Sequence, residues 1–255
     1  MNGLKAGIIG FLSERTLPSV RTLLATRQPL VWLLALVIGA IGAYAILAFR
    51  WLIGAVQWLW LGNSSENVLS TVASFREPWL IMLALVVGGL VVGLILHFAT
   101  QTFRTHGIAD VIEARALHGS NIPIRRGLVS AVASAISLGA GASAGREGPA
   151  VHLGAAIASF LESQFNLPSA ARRVLLASGA AAAVSASFNA PIAGVLFAHE
   201  VILGHYALSA FVPIVISSVA ATLVARIQFG DFPAFAIPDY SIMSFYEFPA
   251  FALLG

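Results

Sequence analysis

Residues 139–154 read Gly-Ala-Gly-Ala-Ser-Ala-Gly-Arg-Glu-Gly-Pro-Ala-Val-His-Leu-Gly, which sets an Arg-Glu pair between glycines in a strongly apolar chain. Gly145 and Gly148 let the backbone turn with no side chain in the way. Pro149 suits the first position of a helix, where its missing N–H would have no partner anyway, and an uncharged run follows over 150–161. The spacing predicts a helix N-terminus with free backbone N–H groups and a positive dipole end, which is an anion site built mostly of backbone. Glu147 stands at its mouth, where its carboxylate could occupy the site itself. The other reading of Glu147 is a capping carboxylate or an ion pair with Arg146.

Other patterns suggest different chemistry. Gly141-x-Ser143-x-Gly145 fits a nucleophile elbow, and with His199 or His205 it would make the serine–histidine dyad of an intramembrane protease. The strand–turn–helix context is missing, and Gly/Ala/Ser tracts produce this pattern readily. His205 falls two residues too late after His199-Glu200 for a zinc motif on one helical face. His97, His118 and His152 read as interfacial or packed side chains. The chain has no cysteine, which excludes disulfides and thiolate chemistry. It has no phosphate-binding loop and no basic stripe interleaved with aromatics, so neither ATP drive nor a nucleic-acid partner is expected. No metal and no cofactor is expected.

These residues must be positioned by membrane helices. Apolar residues are 58% of the chain and charged residues 10%, against roughly 45–50% and about 25% in soluble domains. The chain is therefore a multi-pass membrane protein with the lipid bilayer as a partner, and its 255 residues have room for roughly eight spans of about 20. Residues 1–28 carry Lys5, Arg15, Arg21 and Arg27 and are expected to form a basic interfacial helix rather than a signal peptide. The remainder, 29–255, forms the transmembrane domain. Spans are expected over 29–61 and 78–103, then a short helix over 107–117. A small-residue segment follows over 127–144, and a half-depth element over 150–165. An apolar stretch over 174–198 is broken at Asn189-Ala190-Pro191. A further span covers 206–225, and 230–249 is loop-like. Cations gather before residue 28 and over 104–126, which puts both stretches, and the N-terminus, in the cytoplasm. Breaks near Gly107, Pro149 and Pro191 point to ion translocation, because irregular backbone at membrane depth belongs where it is buried or lines a cavity.

Gly145-Arg146-Glu147-Gly148-Pro149 resembles the Gly-Lys/Arg-Glu-Gly-Pro signature of the CLC family of chloride channels and chloride/proton antiporters. Phe188-Asn189-Ala190-Pro191-Ile192-Ala193-Gly194 resembles the Asn-Ala-Pro-Leu-Ala-Gly segment that follows it in that family. The resemblance implies an all-α membrane fold, the first of two inverted repeats of tilted, broken helices. It implies chloride transport rather than catalysis, in a homodimer at the cell membrane. Glu147 would be the gate, competing with chloride when ionised. The amides of Gly145, Arg146, Glu147 and Gly148 would form the outer anion site.

Three departures qualify what the resemblance implies. Thr105-His106-Gly107-Ile108-Ala109 matches the family's Gly-Ser-Gly-Ile-Pro only loosely, and His106 stands where a serine binds the central chloride. His106 with Gly107 and Ile108 is either an anion-binding group or an interfacial histidine at a helix start. The position after Glu200, a glutamate in proton-coupled members, is Val201. This favours passive, glutamate-gated conduction over antiport, and Glu200 itself is expected to bond a neighbouring helix. The second repeat's Gly-x-Phe-x-Pro segment and its ion-contacting tyrosine are not found before Gly255, so the chain is expected to hold the first repeat and the start of the second. A non-conducting fragment is the third reading.

Overall fold

The computed structural model describes residues 28–63, 76–100, 102–230, 242 and 244–254. The expected N-terminal helix, apart from Gln28, and most of the polar loop after residue 63 lie outside the described residues. Among the described residues nine α-helices follow one another: α1 (Gln28–Leu61), α2 (Pro78–Ala99), α3 (Ile108–Leu117), α4 (Ile124–Gly139), α5 (Glu147–Ser163), α6 (Ser169–Phe188), α7 (Pro191–Phe197), α8 (Leu208–Phe229) and α9 (Glu247–Leu254). Between α7 and α8 the helix widens into a π-helical turn, Ala198–Leu203. No strand occurs among the described residues.

Among the described residues three helices, α1, α2 and α8, are long and apolar enough to cross a bilayer. The 34 residues of α1 extend about 50 Å at 1.5 Å per residue, well beyond a hydrocarbon core of about 30 Å. That helix must therefore tilt or project. The shorter helices fill the interior. Among the described residues α2 buries only Gly88, and most of its apolar surface is left uncovered.

Small residues set the packing. The middle of α6, from Leu175 through Ala183, is buried without a break, and it is covered by α1, α5 and α8. One apolar cluster joins Val111, Val151, Leu176, Ala180, Ile202 and Ile214. A second joins Ile46, Phe49, Ile53, Leu153, Ala182 and Ala221. Gly154 of α5 and Gly179 of α6 meet backbone to backbone: a Cβ on either would strike the other's carbonyl oxygen. The same Cβ atoms would also crowd Ala183 at 2.9 Å and Ala158 at 2.7 Å. Serines bond across the contacts, with Ser217 donating to the Ser178 carbonyl at 2.9 Å and the Ser185 and Ser218 hydroxyls 2.6 Å apart. At its end α5 is tied to α6 by the buried Glu162, 3.2 Å from Arg172 Nε.

Several boundaries differ from the sequence expectation. The second span stops at Ala99 rather than 103, because the Thr100 hydroxyl turns back onto the Leu96 carbonyl at 2.7 Å and competes with helix continuation. The small-residue segment starts at Ile124 and stops at Gly139. Its chain then turns through Gly141 at φ +100, which a side chain would strain. The π-helical turn was not legible in the sequence. It closes at Gly204, φ +69. The expected loop over 230–249 runs into α9 from Glu247. Glu200 is exposed and bonds no neighbouring helix among the described residues, contrary to expectation, because the π-turn rotates it outward while His199 and Ile202 face inward.

Gly154→Ala should destabilise the fold by about 1–3 kcal/mol, since the α5–α6 crossing leaves no room for a methyl. Gly89→Ala should be neutral or slightly stabilising, as nothing lies within 4 Å of its Cβ position. Thermal unfolding of the two variants in detergent checks the contrast.

Candidate anion site where two helix N-termini meet

The helix α5 begins at Glu147 with Arg146 as its N-cap and no side-chain cap. Pro149 is thus its third residue rather than its first. The helix can start earlier because no N–H in the first turn has an intrahelical acceptor, so proline costs nothing there. The first amide to bond back is that of Ala150, to the Arg146 carbonyl at 3.2 Å. The Glu147 side chain is exposed and folds back beside Gly145. A Cβ at Gly145 would collide with Glu147 Oε2, so glycine is what allows this carboxylate position. Glu147 forms no hydrogen bond or ion pair among the described residues, and the Arg146 guanidinium lies 5.5 Å over the Phe188 ring at the end of α6.

The N-terminus of α3 faces this end. A Cβ on Gly107 would lie 3.7 Å from Gly148 Cα, and the reverse distance is also 3.7 Å. The backbones of the two helix starts are thus in contact, and the two sets of sequence-predicted residues come together. Their states differ. The Gly107 amide already donates to Asp110 Oδ2 at 2.8 Å, and the His106 amide donates to the Ser130 hydroxyl at 2.9 Å. Neither N–H is open to an anion in this arrangement, so an anion-binding role for His106 falls to its ring.

That ring is buried. His106 Nδ1 sits 2.9 Å from Asp110 Oδ1, and its face stacks on His152 of α5 at 5.2 Å between centroids and 19° between planes. Arg104 grips both oxygens of Asp110, at 3.0 and 2.6 Å. Burial alone would push the Asp110 carboxyl up, but Arg104, the His106 ring and the Gly107 amide together outweigh it. They hold the carboxyl well below the usual carboxylate range. His106 lines a cavity of about 280 Å³ shared with Thr102, Arg125 and Arg126. It also lines a second cavity of about 150 Å³, shared with Arg104, Asp110 and His152.

The sequence reading missed Asp110, Arg104, His152 and Ser130 as partners of this site. A signal existed for Asp110, which stands three residues after Gly107 and four after His106, the place from which a carboxylate reaches back over a helix start. None existed for His152 or Ser130, which only the packing of α4 and α5 brings in. The third break is where it was expected. Asn189 adopts the left-handed conformation at φ 54 between α6 and Pro191 of α7, and its side-chain oxygen accepts from Arg226 Nε at 2.8 Å. The alternative serine–histidine dyad is not assembled. Ser143 is exposed in the loop before α5, while His199 is buried, stacked on Tyr206 and Phe211.

Residues 87–255 match the family model described as voltage gated chloride channel. A putative chloride channel protein, ClcB-like, of Ralstonia nicotianae is 34% identical over 222 residues, covering 86% of this chain and 51% of that protein. The voltage-gated ClC-type chloride channel ClcB of Escherichia coli is 35% identical over 199 residues, covering 76% of this chain and 46% of that protein. The chain thus spans about half the length of these relatives. Among solved structures, a slow cyanobacterial chloride/proton antiporter aligns with a TM-score of 0.68 at 24% identity, covering 88% of this chain and 52% of that one. A CLC-type fluoride/proton antiporter aligns with the same TM-score and identity over 89% and 53%. At that identity the likeness is one of fold.

The Asp110 cluster makes a pH prediction. A carboxyl whose folded pKa is depressed adds stability that is fully present above its unfolded value, about 4, and is lost as pH falls toward the folded value. Asp110→Asn should therefore melt below the wild type at pH 7, and the gap should narrow as the pH is lowered from about 4 toward 3. Paired thermal melts across that range check it.

Proposed function

The chain belongs to the CLC family of voltage-gated chloride channels, and on that footing we propose that it carries chloride passively across the cell membrane with Glu147 as the gate. The observation that carries this reading is the uncapped start of α5. Its open amides and positive dipole end favour an anion, and the unpaired Glu147 carboxylate lies beside Gly145, where it competes for the same field. Ionised, it takes the anion's place; protonated, it loses that advantage and swings away. Gly145, Arg146, Glu147 and Gly148 supply the outer ion position. The His106 ring, beside Gly107 and Ile108, stands at the inner one. The breaks at Pro149, Asn189 and Pro191 keep the helix ends directed inward. A homodimer, with the exposed apolar faces covered by lipid or the second subunit, completes the assembly. The N-terminus and the arginines over 104–126 lie on the cytoplasmic side.

Antiport is the second reading, favoured by the activity named for the two solved relatives. Against it stands Val201, a side chain that cannot relay a proton, at the position of the inner glutamate.

Chloride efflux from liposomes holding the 255-residue chain, with external pH recorded in parallel, tests both. Efflux that Glu147→Ala changes several-fold, with no coupled proton movement, is the expected result. Protons moved against chloride at a fixed ratio would establish antiport instead. Absence of efflux from well-inserted protein would overturn conduction by this chain on its own.

A further inference from the structure

The ring of His106 is held from one side. Its Nδ1 is 2.9 Å from Asp110 Oδ1, and both Asp110 oxygens are held by Arg104. An ionised carboxylate offers only lone pairs, so the hydrogen between the two groups must sit on Nδ1. In the neutral ring the other nitrogen, Nε2, then carries a lone pair and no hydrogen. With Nδ1 turned to Asp110, Nε2 is the nitrogen left for the cavities that His106 lines. A small anion meeting a neutral His106 faces that lone pair. The same anion meeting the imidazolium finds an N–H donor and a full positive charge.

We propose that His106 is a proton-switched anion ligand: Asp110 locks its tautomer, so a halide binds at Nε2 only together with one proton. The proton comes from hydronium in the cavity water and forms the Nε2–H bond, leaving water behind. The added positive charge matches the halide's negative one, so the site's net charge is unchanged. The inference rests on the chloride reading above. It supplies a titrating group on a chain whose inner relay position is valine.

The charges around the ring bear on this in known directions. From its own stretch come Arg104 and Asp110. From α5 comes His152, stacked on the ring. Two imidazoles this close do not both charge cheaply, so the pair takes up one proton at a time. The cavity walls add Arg125 and Arg126 from α4, Glu113 from α3 and His118 just after it. Asp110 holds the Nδ1 side of the ring and also lines the smaller cavity, with Arg104 on its carboxylate.

Calorimetric chloride titration of the 255-residue chain in detergent, from pH 5.5 to 8.5, tests the switch. The wild-type affinity should fall by up to about tenfold per pH unit on the alkaline side. About one proton should be taken up per chloride, read from buffers of different ionisation heat. Glu147→Gln, which removes the gate carboxylate's own proton-linked competition, should keep the slope, and His106→Gln added to it, whose amide carries an N–H at every pH, should reduce the dependence to less than about twofold across the range. A pH-independent wild-type affinity overturns the proposal, as does a slope that survives in His106→Gln once Glu147→Gln is also present. Nitrogen-15 spectra of histidine-labelled wild-type protein at pH 8.5 give a check that needs no variant to fold: the Nδ1–H tautomer supports the lock, and the Nε2–H tautomer overturns it. Efflux sensitive to Glu147→Ala alongside a pH-independent chloride affinity would sink the histidine switch and leave conduction standing. Folded protein that binds no chloride at pH 5.5 would sink both.

Discussion

A helix that starts inside a folded protein exposes backbone N–H groups that its own turns cannot satisfy, and each must find a partner in a side chain or within a polar cavity. This chain meets the constraint at two places that touch. At the start of α3 the Gly107 amide is taken by Asp110 and the His106 amide by Ser130. At the start of α5 no side chain does the same. One helix end is thus closed by a resident carboxylate, while at the other, among the described residues, the Glu147 carboxylate lies beside Gly145 without a hydrogen bond. The contrast in electrostatics comes from this unequal treatment of two similar backbone ends.

Bringing the two ends together requires helices that approach unusually closely. Gly154 and Gly179 allow α5 and α6 to touch along their backbones, and the alanines of α6 let α1, α5 and α8 close around it. Such packing contributes dispersion and hydrogen bonds rather than hydrophobic transfer, since lipid tails are as apolar as leucine. The serine hydroxyls of α6 and α8 add bonds across the same interface. Rigid small-residue packing of this kind holds Gly107 and Gly148 in contact while large apolar side chains are left at the outer surface.

The inner cluster couples charge to position. Arg104 holds Asp110 ionised, Asp110 orients His106, and His106 stacks on His152 of the facing helix. Each contact constrains the next. The clamp also explains why Arg104, exposed on a surface stretch, matters to a buried ring two residues away.

The bilayer class, the helical breaks and the family were legible in the sequence because they depend on local properties. Glycine and proline limit where a helix can begin or end whatever surrounds them, as at Gly145, Gly148, Pro149 and Pro191. A low charge content likewise marks a lipid-facing chain without reference to fold. The identity of the gate candidate, Glu147, followed from its immediate neighbours. Which amides are spent and which stay open did not, because Ser130 and His152 reach the site from helices separated from His106 by 24 and 46 positions in the numbering. The arginines over 104–126 carried a topological signal in sequence, and only folding singled out Arg104 as the partner of Asp110. Tertiary packing likewise decided the π-helical turn at Ala198–Leu203 and the outward turn of Glu200, since a change of helical width answers to the neighbours it must fit rather than to the residues that form it.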